Sequence, residues 1–310
     1  MSKEEIKVPL SDGSSILLRR LGKLNGPRIY LSHGNGFAVD GYMPFWGALQ
    51  NDFDLLLFDF RNHGRNERSD PARHHYSQMV DDLDRVVMAG QTAFGDVPAC
   101  GVFHSMSART AMKHGLERPW RWAGLVLFDP PNVPPRGHPL YPAMEKFESR
   151  LVAFARERRE WFDDPSELEA EYLKSRTSRS WVEGSQGLMA RAVLRQEGNG
   201  RWQLVCTPAL EASIYGEATT LELWPRSQDF PGAVKLIGAD PTQGVATGPA
   251  NAALGRENGF DYMAVKGAGH MLQIEKPDIC RSMLLGCMIE WGLGPARVEP
   301  SLNDEKMGST

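Results

Sequence analysis

Apolar residues along this chain gather in short runs, separated by stretches with helical spacing. Residues 6–9 and 15–19 flank Asp12-Gly13, a hairpin signal. Residues 28–32 and 54–60 are mostly apolar and run into Gly-containing polar loops, which predicts buried parallel strands. Residues 41–50, between them, predict a helix. Over residues 76–94, Met79, Leu83, Val86, Val87 and Ala93 share one helical face, and Gly95 ends the pattern. A strand at 97–103, a helix from Ser105 to about Leu116 and a strand at 123–129 follow. Strands alternating with helices predict an α/β fold: a mostly parallel sheet covered on both faces.

From Pro130 to Trp224 the pattern changes. Strand signals almost vanish, and helical stretches fall at residues 140–160, 165–176 and 187–195, with Trp161, Phe162, Trp181, Trp202 and Trp224 interspersed. This predicts a helical cap (residues 130–224) inserted into a core of residues 1–129 and 225–293. Core elements resume with strands at 233–239 and 261–266 and helices at 249–258 and 274–291. Residues 294–310 are polar with Pro and Gly and predict a flexible tail.

Composition narrows the classes of function. The chain has 310 residues, 35 Lys and Arg against 39 Asp and Glu, and a formal net charge of −4. That balance gives no reason to expect nucleic acid or an anionic membrane surface as a partner. Cys100, Cys206, Cys280 and Cys287 are scattered without C-x-x-C spacing, which fits free thiols in a reducing compartment. No basic-then-apolar leader opens the sequence, and no run of apolar residues is long enough to span a bilayer. A soluble cytoplasmic protein with a small-molecule substrate is the expectation; oligomeric state is open.

Three predicted strand ends carry polar residues, and a parallel sheet brings such ends to one rim. Phe103-His104-Ser105-Met106-Ser107 places Ser105 at a strand-to-helix turn, where its hydroxyl stands clear of the sheet. The Met106 N–H then opens a helix, where an oxyanion can be stabilised. Lys266-Gly267-Ala268-Gly269-His270 holds an imidazole in a Gly-flanked loop. His33-Gly34-Asn35-Gly36-Phe37 lets backbone N–H groups approach a reacting carbonyl oxygen.

In this order, H-G-N-G-F, F-D-F-R-N-H-G, H-S-M-S and G-A-G-H-M-L-Q-I-E-K-P resemble the α/β-hydrolase family across nearly the whole chain. The likeness is to its cap-bearing, esterase-like branch. It implies Ser105 as nucleophile, His270 as general base, and the N–H groups of Asn35 and Met106 as oxyanion hole. The acid that orients the histidine is left between two positions. Asp129 ends the strand after the nucleophile's helix and is favoured; Asp240 lies in Gly238-Ala239-Asp240, one residue short of the family's usual loop spacing. Hydrolysis of a small carboxylic ester is implied, with lactone, thioester, amide or activated C–C cleavage open to the same machinery. Epoxide and haloalkane hydrolysis would need a carboxylate where Ser105 stands. No metal or organic cofactor is implied, and a ligand-binding protein on the same fold is the rival of a different class.

Other chemistry-bearing residues have plainer readings. A serine before a helix is commonly an N-cap. Asp59, Arg61, His63 and Gly64 fit the family's structural D-x-R-x-x-G loop. His74-His75 suggests a metal pair, but no third ligand has suitable spacing. Ser107 fills a slot for a small residue, and His104 should point away from the nucleophile's chemistry. Phe103 stands where a small residue is usual and should need a small partner on the next strand.

Overall fold

The computed structural model describes residues 4–295. Eight strands form one sheet: β1 (Glu4–Pro9), β2 (Ser15–Gly22), β3 (Arg28–Leu31), β4 (Asp54–Phe58), β5 (Ala99–His104), β6 (Gly124–Phe128), β7 (Val234–Ala239) and β8 (Asp261–Val265). Their spatial order is β1-β2-β4-β3-β5-β6-β7-β8. β1 and β2 form the antiparallel hairpin, β2 pairs antiparallel with β4, and the rest are parallel.

The continuous apolar runs reflect a sheet buried on both faces. Ile29, Leu31, Leu55, Leu57, Val102, Val126 and Ile237 enter one core, and their neighbours Tyr30, Leu56, Phe58, Phe103, Leu125, Leu127 and Leu236 enter the other. Helix α1 (Tyr76–Phe94) and helix α2 (Met106–Glu117) cover the second face; α1 contributes Met79, Leu83, Val86 and Val87. His75 caps α1 by accepting from Gln78 N–H, and Gly95 ends it at φ 90°.

Between β6 and β7 lie α3 (Tyr141–Glu157), α4 (Pro165–Lys174), α5 (Ser185–Val193) and α6 (Pro208–Glu217). Helix α6 was not expected, nor was a small antiparallel sheet of Trp161–Phe162, Trp202–Leu204 and Leu194–Gln196. The helix expected at residues 41–50 is instead one α-turn, Met43–Trp46, between two 3₁₀ segments. The core resumes with α7 (Thr247–Asn258), and α8 (Pro277–Glu290) returns to the first face through Cys280, Leu284, Cys287 and Met288. Among the described residues no helix is long and apolar enough to cross a membrane. Residues 296–310, most of the expected tail, lie outside the described part.

Candidate active site

Ser105 sits between β5 and α2 at φ 54°, ψ −116°, a left-handed conformation that costs a serine roughly 1–3 kcal/mol. Its N–H donates to Phe128 C=O at 2.9 Å, which extends the pairing of β5 with β6 past the strand end. Although it occupies the N-cap position, its side chain makes no cap bond. The hydroxyl lies instead 2.9 Å from His270 Nε2. Ser107 ties down the turn, accepting from His104 N–H and donating to His104 C=O, both at 2.9 Å. Phe103 finds its room on its own strand, not the next one: a Cβ on Gly101 would meet the Phe103 ring at 2.6 Å. Phe58 and Trp122 pack edge-on against that ring.

Asp129 follows β6 and is fully buried. Its Oδ2 accepts from His270 Nδ1–H at 2.6 Å and from the Thr247 hydroxyl at 2.6 Å. Its Oδ1 accepts from Ala239 N–H and Asn251 Nδ2, both at 2.9 Å. Burial works to raise its pKa, but the His270, Thr247 and Ala239 donors outweigh it and hold the carboxyl below its ordinary value. A carboxylate facing Nδ1 fixes that nitrogen as N–H and turns the Nε2 lone pair to Ser105.

Asp240, the other candidate, does not meet His270. Its Oδ1 accepts from Thr242 N–H and hydroxyl at 2.9 and 2.7 Å, and its Oδ2 from Gly267 N–H at 2.7 Å. It is a loop clasp at the rim of β7, one strand beyond Asp129. The difference is positional: β6 lies beside the strand that carries Ser105, and β7 does not.

The loop after β3 packs directly on Ser105. A Cβ on Gly34 would fall 3.2 Å from Ser105 Cβ and 3.1 Å from His104 Nδ1, so only glycine sits there without displacing a neighbour. Asn35 N–H has no acceptor among the described residues, and Met106 N–H, first in its helix, has none within that helix. Asn35 is held by its side chain, whose Nδ2 donates to Glu211 C=O at 2.8 Å. Gly36, at φ 72°, donates to His63 Nε2 at 3.1 Å.

His104 does not point away from the site. Its Nε2 faces the His270 carbonyl at 2.8 Å, so that nitrogen carries the proton, and Nδ1 accepts from the Tyr42 hydroxyl at 2.8 Å. Tyr42 in turn accepts from Gly34 N–H at 3.1 Å. One chain of hydrogen bonds with a single polarity therefore joins the Gly34 loop to the His270 loop. Burial, helped by the neighbouring His270, lowers the His104 pKa to about 3 and keeps the ring neutral. Gly269 N–H donates to Glu275 Oε2 at 2.6 Å and fixes the other side of the His270 loop.

The insertion reaches this centre from above. The Phe147 ring stands 6.4 Å from His270 edge-on. Its neighbour Glu148 pairs with Arg109 of α2 at 2.6 Å in a fully buried contact, and Arg109 also donates to Tyr76 and to the Pro131 carbonyl. Among the described residues Glu148 Oε2 has no partner, and burial raises its pKa against the pull of Arg109. Arg158 pairs with Glu211, whose carboxylate lies over Gly36. Sequence reasoning missed these pairs because a charge on an amphipathic helix reads as solvated. The Asp59 loop is a hydrogen-bond scaffold: Asp59 accepts from Val39 and Arg65 N–H, and Arg61 joins Asp82 and Asp12.

This sheet order, with a serine elbow after β5 and a histidine loop after β8, defines an α/β hydrolase. The sequence matches the alpha/beta hydrolase family over residues 29–281, and the chain belongs to that family. Among solved structures it is similar to E-2-(acetamidomethylene)succinate hydrolase at 18% identity and TM-score 0.73, covering 91% of this chain and 98% of that one. It is similar to the thioesterase domain from the curacin biosynthetic pathway at 17% and 0.68, covering 92% and 100%. An alpha/beta hydrolase from Novosphingobium aromaticivorans matches at 16% and 0.71, covering 93% and 98%. At such identities the likeness bears on the fold. No curated protein matches the chain.

Proposed function

We propose that this hydrolase cleaves a small carboxylic ester through an acyl-enzyme, with residues 130–224 as a cap over the site. The observation that carries the reading is the hydrogen-bonded series Ser105 Oγ, His270 Nε2, His270 Nδ1, Asp129 Oδ2, at 2.9 and 2.6 Å. Ser105 attacks the acyl carbon as Nε2 takes its proton, and Asp129 stabilises the imidazolium that forms. The N–H groups of Asn35 and Met106 receive the oxyanion, the alcohol leaves with the proton from His270, and water activated by the same nitrogen releases the acid. The strained backbone at Ser105, with a side chain that makes no cap bond, fits a nucleophile better than a helix cap. His104 and Tyr42 act as positioning residues, since their chain joins the loop bearing one oxyanion donor to the loop bearing the base.

The fold likeness to a thioesterase domain makes a thioester the second acyl group to try. Hydrolysis of p-nitrophenyl acetate by Ser105→Ala, beside its melting curve, tests the reading. Turnover falling to the uncatalysed rate with an unchanged melting temperature supports it; unchanged turnover overturns it.

A further inference from the structure

Behind the Asn35-Gly36 loop, His63, His74 and Cys206 meet in the interior. One ligand atom from each lies within 4.8 Å of the other two, and all three residues are buried. The two rings lie 5.5 Å apart, tilted by 32°. They come from three distant stretches: the loop after β4, the turn before α1, and the residues leading into α6. No spacing rule links positions 63, 74 and 206, and His75, the other half of the sequence pair, is occupied in capping α1.

The hydrogen bonding leaves this cluster incomplete. His63 Nδ1–H donates to Arg61 C=O at 2.9 Å, so its Nε2 presents a lone pair. A histidine whose other nitrogen is held by a carbonyl has the outer-shell arrangement usual for a metal ligand. His74 is 3% exposed, and its Nε2 has no partner among the described residues. A buried polar atom left so costs about 1–3 kcal/mol. Cys206 is a free buried thiol.

We infer that His63 Nε2, His74 Nε2 and Cys206 Sγ form a binding site for a thiophilic divalent cation of the Zn²⁺ class, and that its occupation inhibits hydrolysis. One thiolate with two imidazoles is a donor set for Zn²⁺ or Co²⁺, not for Mg²⁺ or Ca²⁺. Binding releases the Cys206 thiol proton to solvent and forms a metal–sulfur and two metal–nitrogen bonds. The His74 ring proton moves to Nδ1. The Asn62 amide, whose Nδ2 now faces Nδ1 at 3.2 Å, turns its oxygen to it and gives up Ser69 N–H, in a partly exposed loop where water can replace it. Inhibition follows from His63, because the lone pair that takes the metal is the one Gly36 N–H uses at 3.1 Å. Occupation therefore unlatches the residue next to Asn35. This last step rests on the proposed oxyanion role of that loop; the binding does not.

The test is titration of the metal-free full chain with CoCl₂ under reducing conditions, read by absorption. A thiolate-to-Co²⁺ charge-transfer band in the near ultraviolet should rise to one equivalent. Cys206→Ala and His74→Phe should lack it while keeping wild-type circular dichroism, and Zn²⁺ should abolish it in the wild type by competition. Hydrolysis of p-nitrophenyl acetate should fall about 100-fold at saturating Zn²⁺, the scale of losing one oxyanion donor, return with EDTA, and be insensitive to Zn²⁺ in Cys206→Ala. No thiolate band in the wild type, or a band that persists in Cys206→Ala, overturns the site. A band with hydrolysis unaffected by Zn²⁺ overturns the inhibition. A band from a metal-free protein that hydrolyses nothing supports the site and counts against the hydrolase reading alone.

Discussion

Replacing Asp129 by Asn changes one oxygen to an amide nitrogen and separates the two acid candidates. In the native site Oδ1 faces two donors, Ala239 N–H and Asn251 Nδ2, and Oδ2 faces two more, Thr247 Oγ1 and His270 Nδ1. An amide has one acceptor end, so its NH₂ must meet two donors whichever way it turns. Turned toward Ala239 it breaks backbone and side-chain bonds together. Turned toward His270 it leaves the Thr247 hydroxyl free to rotate and forces Nδ1 to accept. The imidazole proton then sits on Nε2, facing Ser105, and the base has lost its lone pair. The wrong tautomer costs about 10⁴-fold in kcat, or ~5 kcal/mol of barrier. Steady-state hydrolysis of p-nitrophenyl acetate measures it, with circular dichroism confirming the fold. Asp240→Asn breaks only a loop clasp and should leave kcat within about threefold. An Asp129→Asn enzyme within tenfold of wild type, or a larger loss in Asp240→Asn, would refute the assignment.

Tyr42→Phe removes the hydroxyl joining Gly34 N–H to His104 Nδ1; it should cost about 2 kcal/mol in urea unfolding and lower kcat about tenfold with little change in KM. The same stability loss with unchanged kcat would make this chain a structural brace only. Arg109→Ala strands Glu148 as a buried unpaired carboxylate and should cost about 3–5 kcal/mol, whereas Arg109→Met with Glu148→Leu should recover most of it in the same unfolding assay. Acid should destabilise the fold through its buried histidines. Burial lowers the pKa of His33 to about 4, against the Gly34 carbonyl, and that of His104 to about 3, while His63 and His74 are lowered too. The unfolded chain titrates near 6.5 and binds protons the native state refuses, so stability present above about pH 6.5 is lost as pH falls toward 4, each group removing up to ~1.4 kcal/mol per pH unit. A melting temperature flat from pH 7 to 5 would contradict this.

The strands were legible because both sheet faces are buried, so each reads as an apolar run without alternation. Helix α1 was legible from its apolar face and from Gly95, which ends it, whereas the His75 cap at its start carried no sequence signal. Helix α6 escaped because Pro208, Leu210, Glu211, Ala212 and Ile214 are all buried, which leaves no polar stripe to set the period. The strands of the insertion run only two or three residues, too short to show alternation. Pro44 and the surrounding 3₁₀ turns broke the helix expected at residues 41–50. The serine and histidine loops could be read locally, whereas Asp129 and Asp240 each end a strand before a proline. Only the lateral order of strands separates them. His104 was misread because its partners, Tyr42 and the His270 backbone, lie 62 and 166 residues away in sequence.

On the proposed function Ser105 is a nucleophile made reactive by His270 and Asp129. Labelling with a fluorophosphonate, followed by peptide mass mapping, tests this without knowledge of the substrate. One phosphonyl adduct is expected, on the peptide containing Ser105, absent in Ser105→Ala and slowed at least about 10³-fold in His270→Ala. An unlabelled wild-type protein, an adduct on another residue, or labelling undiminished by His270→Ala would contradict it.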